Sequence, residues 1–200
     1  MFILGLTGSI GMGKTTTAAI FRKEGVPVHD SDDAVHTLYK GKAVPVIERA
    51  FPGVVHDGIV DRMLLGARVR DDPVAMRRLE ALVHPMVRED RAAFVRAAAL
   101  AGQKIVVLDV PLLFETGADK EVDATVVVSA PEAVQKERLY KRPGMTPEWL
   151  AVIISKQMPD AEKRHRAQFI IDTSKGFAEA ESQVRSILRA LAGATGAHHL

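Results

Sequence analysis

The chain contains no cysteine. That excludes disulfides, zinc–thiolate centres and thiol nucleophiles, and it is compatible with a reducing compartment. Charge of one sign is also missing: 27 Lys and Arg against 25 Asp and Glu leave a formal net charge of +2, so no global field draws the chain to nucleic acid. No apolar run approaches the length needed to cross a membrane. No internal repeat or low-complexity tract interrupts the 200 residues. What is present, 47% hydrophobic and 26% charged residues, is the composition of a globular chain able to bury a substantial core. Its first residues run straight from an apolar segment into a glycine-rich loop, so a cleaved signal peptide is not expected. The expectation is a cytoplasmic protein of enzyme size.

That loop is Gly8-Ser9-Ile10-Gly11-Met12-Gly13-Lys14-Thr15. It has the spacing G-x-x-x-x-G-K-[ST] of a phosphate-binding loop. Glycines let the backbone turn its N–H groups inward around phosphate oxygens. The helix that follows adds free N–H groups and the positive end of its dipole. Lys14 is expected to reach the β- and γ-phosphates, and the Thr15 hydroxyl to sit on Mg²⁺. The preceding run, Phe2-Ile3-Leu4-Gly5-Leu6, reads as a buried strand. In the following helix Thr17, Ile20 and Phe21 fall at i, i+3, i+4 and should face the sheet.

Val26-Pro27-Val28-His29 is a second short strand ending at Asp30-Ser31-Asp32. The carboxyl ends of parallel strands are where ligands bind in such sheets. This puts Asp30 and Asp32 on a strand expected to neighbour that of the loop. Residues 33–102 lack β-branched runs and carry helical stripes at Val35, Leu38 and Tyr39 and over 44–51. Pro73 should open a helix that His84-Pro85 interrupts, with Pro85 starting the next. Continuous apolar runs at 105–110 and 124–128 read as strands covered on both faces, and 168–172 as a fifth. Residues 138–166 form a basic excursion with a helix capped by Thr146 and ending near Met158-Pro159. A helix over 177–191 closes the chain, and 192–200 read as frayed.

The expected fold is therefore α/β: a three-layer P-loop NTPase fold with a five-stranded parallel sheet, a helical substrate insert and a lid. The core takes residues 1–32, 103–137 and 167–200, the insert 33–102 and the lid 138–166. A guanine-reading switch should carry D-x-x-G and N/T-K-x-D, and neither occurs. A small-molecule kinase needs the loop, a carboxylate at the acceptor hydroxyl, an acceptor domain and a basic lid, and all four are visible. Asp32 suits the carboxylate, because phosphoryl transfer asks mainly for positioning and charge neutralisation. Asp30 or Asp32 could equally cap the next helix, and Asp109 could be the acid beside the metal. Arg138 and Arg142, four apart, would share a helix face if the helix reaches that far. An arginine on the transferring phosphate raises the rate by orders of magnitude. The residues alone do not rank His84, Glu115 or His36.

The ordered set of motifs resembles the dephospho-coenzyme A kinase family, which completes coenzyme A biosynthesis. The set comprises Leu6 to Thr16, Asp30-Ser31-Asp32 with His36, and Leu82-Val83-His84-Pro85 with Arg88. It continues with Val110-Pro111-Leu112-Leu113-Phe114-Glu115, Arg138, Arg142-Pro143-Gly144-Met145-Thr146, Gln157-Met158-Pro159 and Ile170-Ile171-Asp172. The resemblance implies transfer of the γ-phosphoryl group of MgATP to the ribose 3′-hydroxyl of dephospho-CoA. It implies Asp32, Lys14 and Arg138 as catalytic residues, with Asp32 as base. Nucleotide contacts fall to Gly8, Gly11, Met12, Gly13, Lys14, Thr15, Thr16 and Arg142. The acceptor contacts fall to Asp32, His84, Arg88 and Glu115, and the metal to Thr15. The alternatives are a nucleoside monophosphate or other small-metabolite kinase and, from another class, a nucleotide-dependent switch. The partners expected are ATP and dephospho-CoA, with no nucleic acid and no membrane; the chain should be a monomer with at most weak self-association. Three positions depart from the family pattern: Ser31 for alanine, Ile153 for arginine, and Thr173 for the asparagine common near the expected adenine pocket.

Overall fold

The structure, a computed structural model, describes residues 1–196. Its elements in chain order are β1 (Phe2–Thr7), α1 (Lys14–Lys23), β2 (Val28–Asp30), α2 (Ser31–Leu38), α3 (Val44–Ala50), β3 (Val55–His56), β4 (Ile59–Val60), α4 (Arg62–Val69) and α5 (Pro73–Leu100). There follow β5 (Ile105–Asp109), a 3-10 turn (Ala118–Glu121), β6 (Ala124–Ser129), α6 (Glu132–Tyr140), α7 (Pro147–Ser155), α8 (Asp160–Arg166), β7 (Phe169–Asp172) and α9 (Phe177–Gly196). The five-stranded sheet has the order β2-β5-β1-β6-β7, and β1 pairs in parallel with β5 and β6, and β6 with β7. The three-layer α/β fold expected from the sequence is the one observed.

The strand of Asp30 is not the neighbour of the loop's strand, because β5 lies between them. Burial explains the order. The last four residues of β5 and all six of β6 are buried, so both need a partner layer on each face. The three-residue β2, with two of its residues only half-buried, suits the edge. Its backbone lead-in is fixed where Pro27 O accepts the Val107 N–H at 2.9 Å.

The chain divides into two compact units, Met1–Val28 with the chain from Ala98 on, and His29–Ala97. The core of the first is built on Leu4, Leu6, Phe21, Val126, Val128 and Ile171, with Val184 of α9. Ile20 and Phe21 of α1 are wholly buried in it, as the helical spacing predicted. The second has its own core around Ile47, Val54, Val60, Leu65 and Val83. This second unit is not purely helical. Val55↔Val60 and His56↔Ile59 pair as a small antiparallel hairpin, turned by Asp57 at φ 51 and Gly58 at φ 74.

Three expectations about helices change. Pro85 does not interrupt: α5 runs unbroken over 28 residues. A proline in a helix interior forfeits one i→i−4 bond at about 3 kcal/mol, and here Leu79, Val83 and Val87 on the same stripe are buried in the core of their unit, which offsets that cost. The helix opening at Thr146 stops at Ser155, and a separate α8 follows Pro159. The closing helix continues through Gly196 rather than fraying from 192; 197–200, the rest of the expected frayed tail, lie outside the described residues. Among the described residues no helix is long and apolar enough to cross a membrane.

Candidate functional site

The glycine-rich loop leaves β1 at the end of a strand hydrogen-bonded on both sides, so its first atoms are rigidly set. At Gly8 a Cβ would lie 2.7 Å from the Val128 carbonyl oxygen, a backbone atom that cannot step aside. Gly13 has φ 94 as the residue preceding α1, a conformation costly for any L side chain. Between them Gly11 also has positive φ. Met12 is buried, and its sulfur accepts the Ala130 N–H at 3.2 Å. The loop is held from outside as well. The Ile10 N–H donates to Gln157 Oε1 at 3.2 Å, and the Ile10 carbonyl accepts from Gln135 Nε2 at 2.7 Å. Neither glutamine stands out in the sequence as serving the loop.

The first turn of α1 holds no acidic residue, so nothing of its own neutralises the positive helix end. Thr15 and Thr16 are exposed there. Lys14 Nζ pairs at 2.5 Å with Oδ1 of Asp109, which is 1% exposed at the end of β5. Asp109 is thus set beside the phosphate-loop lysine.

Arg138 of α6 reaches the same place. Its Nη1 donates to Thr173 Oγ1 at 2.9 Å and to Gly11 O at 3.4 Å, and its Nη2 donates to Thr173 O at 2.7 Å. Because α6 ends at Tyr140, Arg142 does not continue the helical face of Arg138. The chain turns back instead, with the Arg142 N–H on Leu139 O. Both arginines nonetheless line one open cavity of about 340 Å³, together with Gly11, Gly13, Thr16 and Phe177. The cavity lies next to the loop and carries two guanidinium groups, a combination suited to a nucleotide's phosphates.

Beyond Arg142, Thr146 caps α7 by accepting the Trp149 N–H at 3.2 Å. Trp149, Val152 and Ile154 of this helix are exposed. By contrast 157–166 are fastened to the sheet. Lys163 is fully buried and pairs with Glu115 Oε1 at 2.9 Å. Glu115 also accepts the Met158 N–H at 2.7 Å. Ser129 donates to Asp160 at 2.7 Å, and Arg166 pairs with Asp119 at 2.9 Å while covering the Phe114 ring. Burial alone would raise the Glu115 pKa, but the Met158 N–H and the Lys163 ammonium outweigh it and hold the carboxyl below its ordinary range. Glu115 therefore has a structural partner that its sequence context did not reveal.

In the second unit Asp30 caps α2, its Oδ1 accepting the N–H groups of Asp32 at 2.9 Å and Asp33 at 3.2 Å. The choice between the two aspartates is resolved: Asp30 caps, while the Asp32 carboxylate is exposed and takes no part in the cap. His29, buried, places Nε2 2.8 Å from Asp90 of α5 and its ring against Phe94, which fixes the backbone two residues before Ser31. His84 and Arg88 are exposed on α5, four residues apart and so on one helix face. His36 is exposed in the last turn of α2.

Among the described residues no cluster of three or more His, Asp or Glu could hold a metal ion by itself. Oxygen donors near the loop include the exposed Thr15 hydroxyl and the Asp109 carboxylate, hard ligands of the kind Mg²⁺ takes alongside phosphate oxygens and water.

The chain is similar to known proteins in sequence and in fold. A sequence model of the dephospho-CoA kinase family matches residues 2–179. A dephospho-CoA kinase of Mesorhizobium japonicum is 57% identical over 196 residues, covering 98% of this chain and 100% of that protein; one from Brucella melitensis is 54% identical over 193 residues, 96% of each. A crystal structure of a Thermus thermophilus protein superposes with a TM-score of 0.82 at 34% identity, over 94% of this chain and 96% of that one.

Proposed function

The chain belongs to the dephospho-CoA kinase family, and we propose that its first unit holds ATP while its second supplies the base for the acceptor. The reaction is the ATP-dependent phosphorylation of dephospho-CoA. The acceptor atom proposed is the ribose 3′-hydroxyl. In the step itself the Asp32 carboxylate takes the hydroxyl proton, the oxygen attacks the γ-phosphorus, and the bond from that phosphorus to the β–γ bridging oxygen breaks. Coenzyme A and ADP are the products. The exposed Asp32 carboxylate, relieved of capping by Asp30, is suited to that proton.

The observation that carries the donor side is the cavity beside the loop with Arg138 and Arg142 in its wall. Lys14 exchanges its pairing with Asp109 for the β- and γ-phosphates. The N–H groups of Gly11, Gly13, Thr15 and Thr16 take further phosphate oxygens, with Gly8 permitting the approach, while the Met12 N–H is spent within the loop on Ser9 O at 3.1 Å. Arg138 and Arg142 neutralise charge that develops on the transferring group. His84, Arg88 and Glu115 are assigned to the acceptor; in Glu115, Oε1 already serves Met158 and Lys163 and Oε2 is buried, so an acceptor contact there requires its side chain to move. Thr15 would hold Mg²⁺ brought with the nucleotide, and the ion would supply charge neutralisation. The lid is α7 with its flanking turns, anchored at its end where Gln157 and Lys163 engage the core. Its closure excludes water as a competing acceptor.

Incubation with MgATP and dephospho-CoA, followed by phosphorus NMR of the product, tests this reading. A new 3′-phosphomonoester appearing only with acceptor supports it. ADP release that ignores the acceptor, or phosphate on another hydroxyl, contradicts it.

A further inference from the structure

Thr173 follows the last residue of β7 and is 8% exposed. Its N–H donates to Ser129 O at 3.0 Å, prolonging the β6–β7 pairing by one residue. Its hydroxyl donates to the Met12 carbonyl at 2.7 Å and accepts from Arg138 Nη1 at 2.9 Å. Its own carbonyl accepts from Arg138 Nη2 at 2.7 Å. A hydroxyl has a single proton, and it goes to Met12 O at 2.7 Å, the nearer of the two carbonyls in reach, Ser129 O being 3.5 Å away. The side chain therefore has nothing left to donate to a base edge. Its methyl fills the space against Gly13, where an added Cβ would come within 3.2 Å.

We infer that Thr173 is a positioning residue for phosphoryl transfer: it locks the Arg138 guanidinium to the Met12 carbonyl of the phosphate loop. Arg138 spends three N–H bonds on Gly11 and Thr173, so its orientation is set before nucleotide arrives. Preorganised donors cost no reorganisation in the transition state. The inference rests on the reading of Arg138 as the arginine of the transferring phosphate. It assigns Thr173 a role other than contacting adenine.

The test is a double-mutant cycle with the whole chain. Thr173→Val keeps the shape and removes the hydroxyl; Thr173→Ser keeps the hydroxyl. Each is made alone and with Arg138→Ala, and kcat, both KM values and the ATP:GTP preference are measured. Displacing a catalytic group slightly can cost up to about 100-fold, and with the Thr173 carbonyl still in place we expect Thr173→Val to lower kcat about 10-fold. The KM for dephospho-CoA and the ATP:GTP ratio should stay at wild-type values, and Thr173→Ser should turn over within about twofold of wild type. In the Arg138→Ala background Thr173→Val should add less than about twofold. Equal losses in both backgrounds, a serine variant as impaired as the valine one, or a changed ATP:GTP ratio would overturn the inference. Calorimetry with a nonhydrolysable ATP analogue repeats the cycle without acceptor, where coupling is again expected and simple additivity counts against it. Wild-type protein inactive toward dephospho-CoA defeats the functional reading instead, and the calorimetric cycle still decides the role of Thr173.

Discussion

Replacing Glu115 with alanine removes the counterion of a buried cation. Lys163 is 0% exposed and Glu115 17%, so the ammonium left behind has little access to water. Breaking a buried pair from one side costs about 3–5 kcal/mol. The partial exposure of Glu115 argues for the lower figure, about 3 kcal/mol. In a chain of this size each kcal/mol moves the melting temperature about 2–4 °C, giving a fall of about 6–12 °C. Lys163→Met should cost less, because the carboxylate keeps the Met158 N–H and the apolar side chain fills the site. The pH dependence has a definite sign. The native Glu115 carboxyl is held below its ordinary range, so its contribution is complete above the unfolded carboxylate pKa, about 4.3, and is lost as pH falls through the lower native value. Thermal unfolding of wild type and Glu115→Gln from pH 7 downward should show a gap that closes below about pH 4. A Glu115→Ala protein melting within a degree of wild type at pH 7, or a gap indifferent to pH, would refute the reasoning. Steady-state kinetics of Glu115→Gln tests the acceptor role separately, through the KM for dephospho-CoA.

Two further outcomes follow from the loop and from α7. Lys14→Ala should weaken ATP binding, lower kcat about 100-fold and, by removing the pair with Asp109, lower the melting temperature. Calorimetry, steady-state kinetics and thermal unfolding read the three effects, and wild-type affinity in Lys14→Ala would contradict the assignment. Trp149, the single tryptophan, is 48% exposed on α7, so its emission should shift to shorter wavelength when MgATP and dephospho-CoA bind together; an unchanged spectrum at saturation would remove α7 as the closing element.

The five strands of the main sheet and the helices between them were readable from the sequence because they rest on periodicity and on local chemistry, whereas the β3–β4 hairpin and the separate α8 were not. The loop needed only its own eight residues, and the strands at 105–109 and 124–129 announced themselves as β-branched runs with few polar interruptions. Features that depend on partners distant in sequence were not readable. That β5 would insert between β1 and β2 depends on which strands can be buried on both faces. That α5 would pass through Pro85 depends on a core assembled from α3, β4 and α4. Around the loop, the glycines, Lys14 and Arg138 were recognisable by type and spacing. Gln135 on Ile10 carried no signal, since a polar side chain seeking one backbone group over a hundred residues away looks like any surface residue; Gln157 stood out only as part of a family motif, and Lys163 looked like one more charge of a basic stretch. Thr173 was visible only as a departure from the family pattern, and its bonds to Met12 and Arg138 give that departure a physical meaning. The cap, too, needed coordinates: Asp30 and Asp32 are equally good candidates until one of them is seen holding two N–H groups.

The central claim is that Asp32 takes the acceptor proton while the loop unit alone holds ATP, and Asp32→Asn tests it most directly. The substitution preserves shape, exposure and the Asp30 cap. A general base contributes about 10²–10⁴-fold, so single-turnover phosphorylation of dephospho-CoA should slow by that factor while calorimetric ATP affinity stays at the wild-type value. Turnover at the wild-type rate, or ATP affinity lost in parallel with turnover, would contradict it.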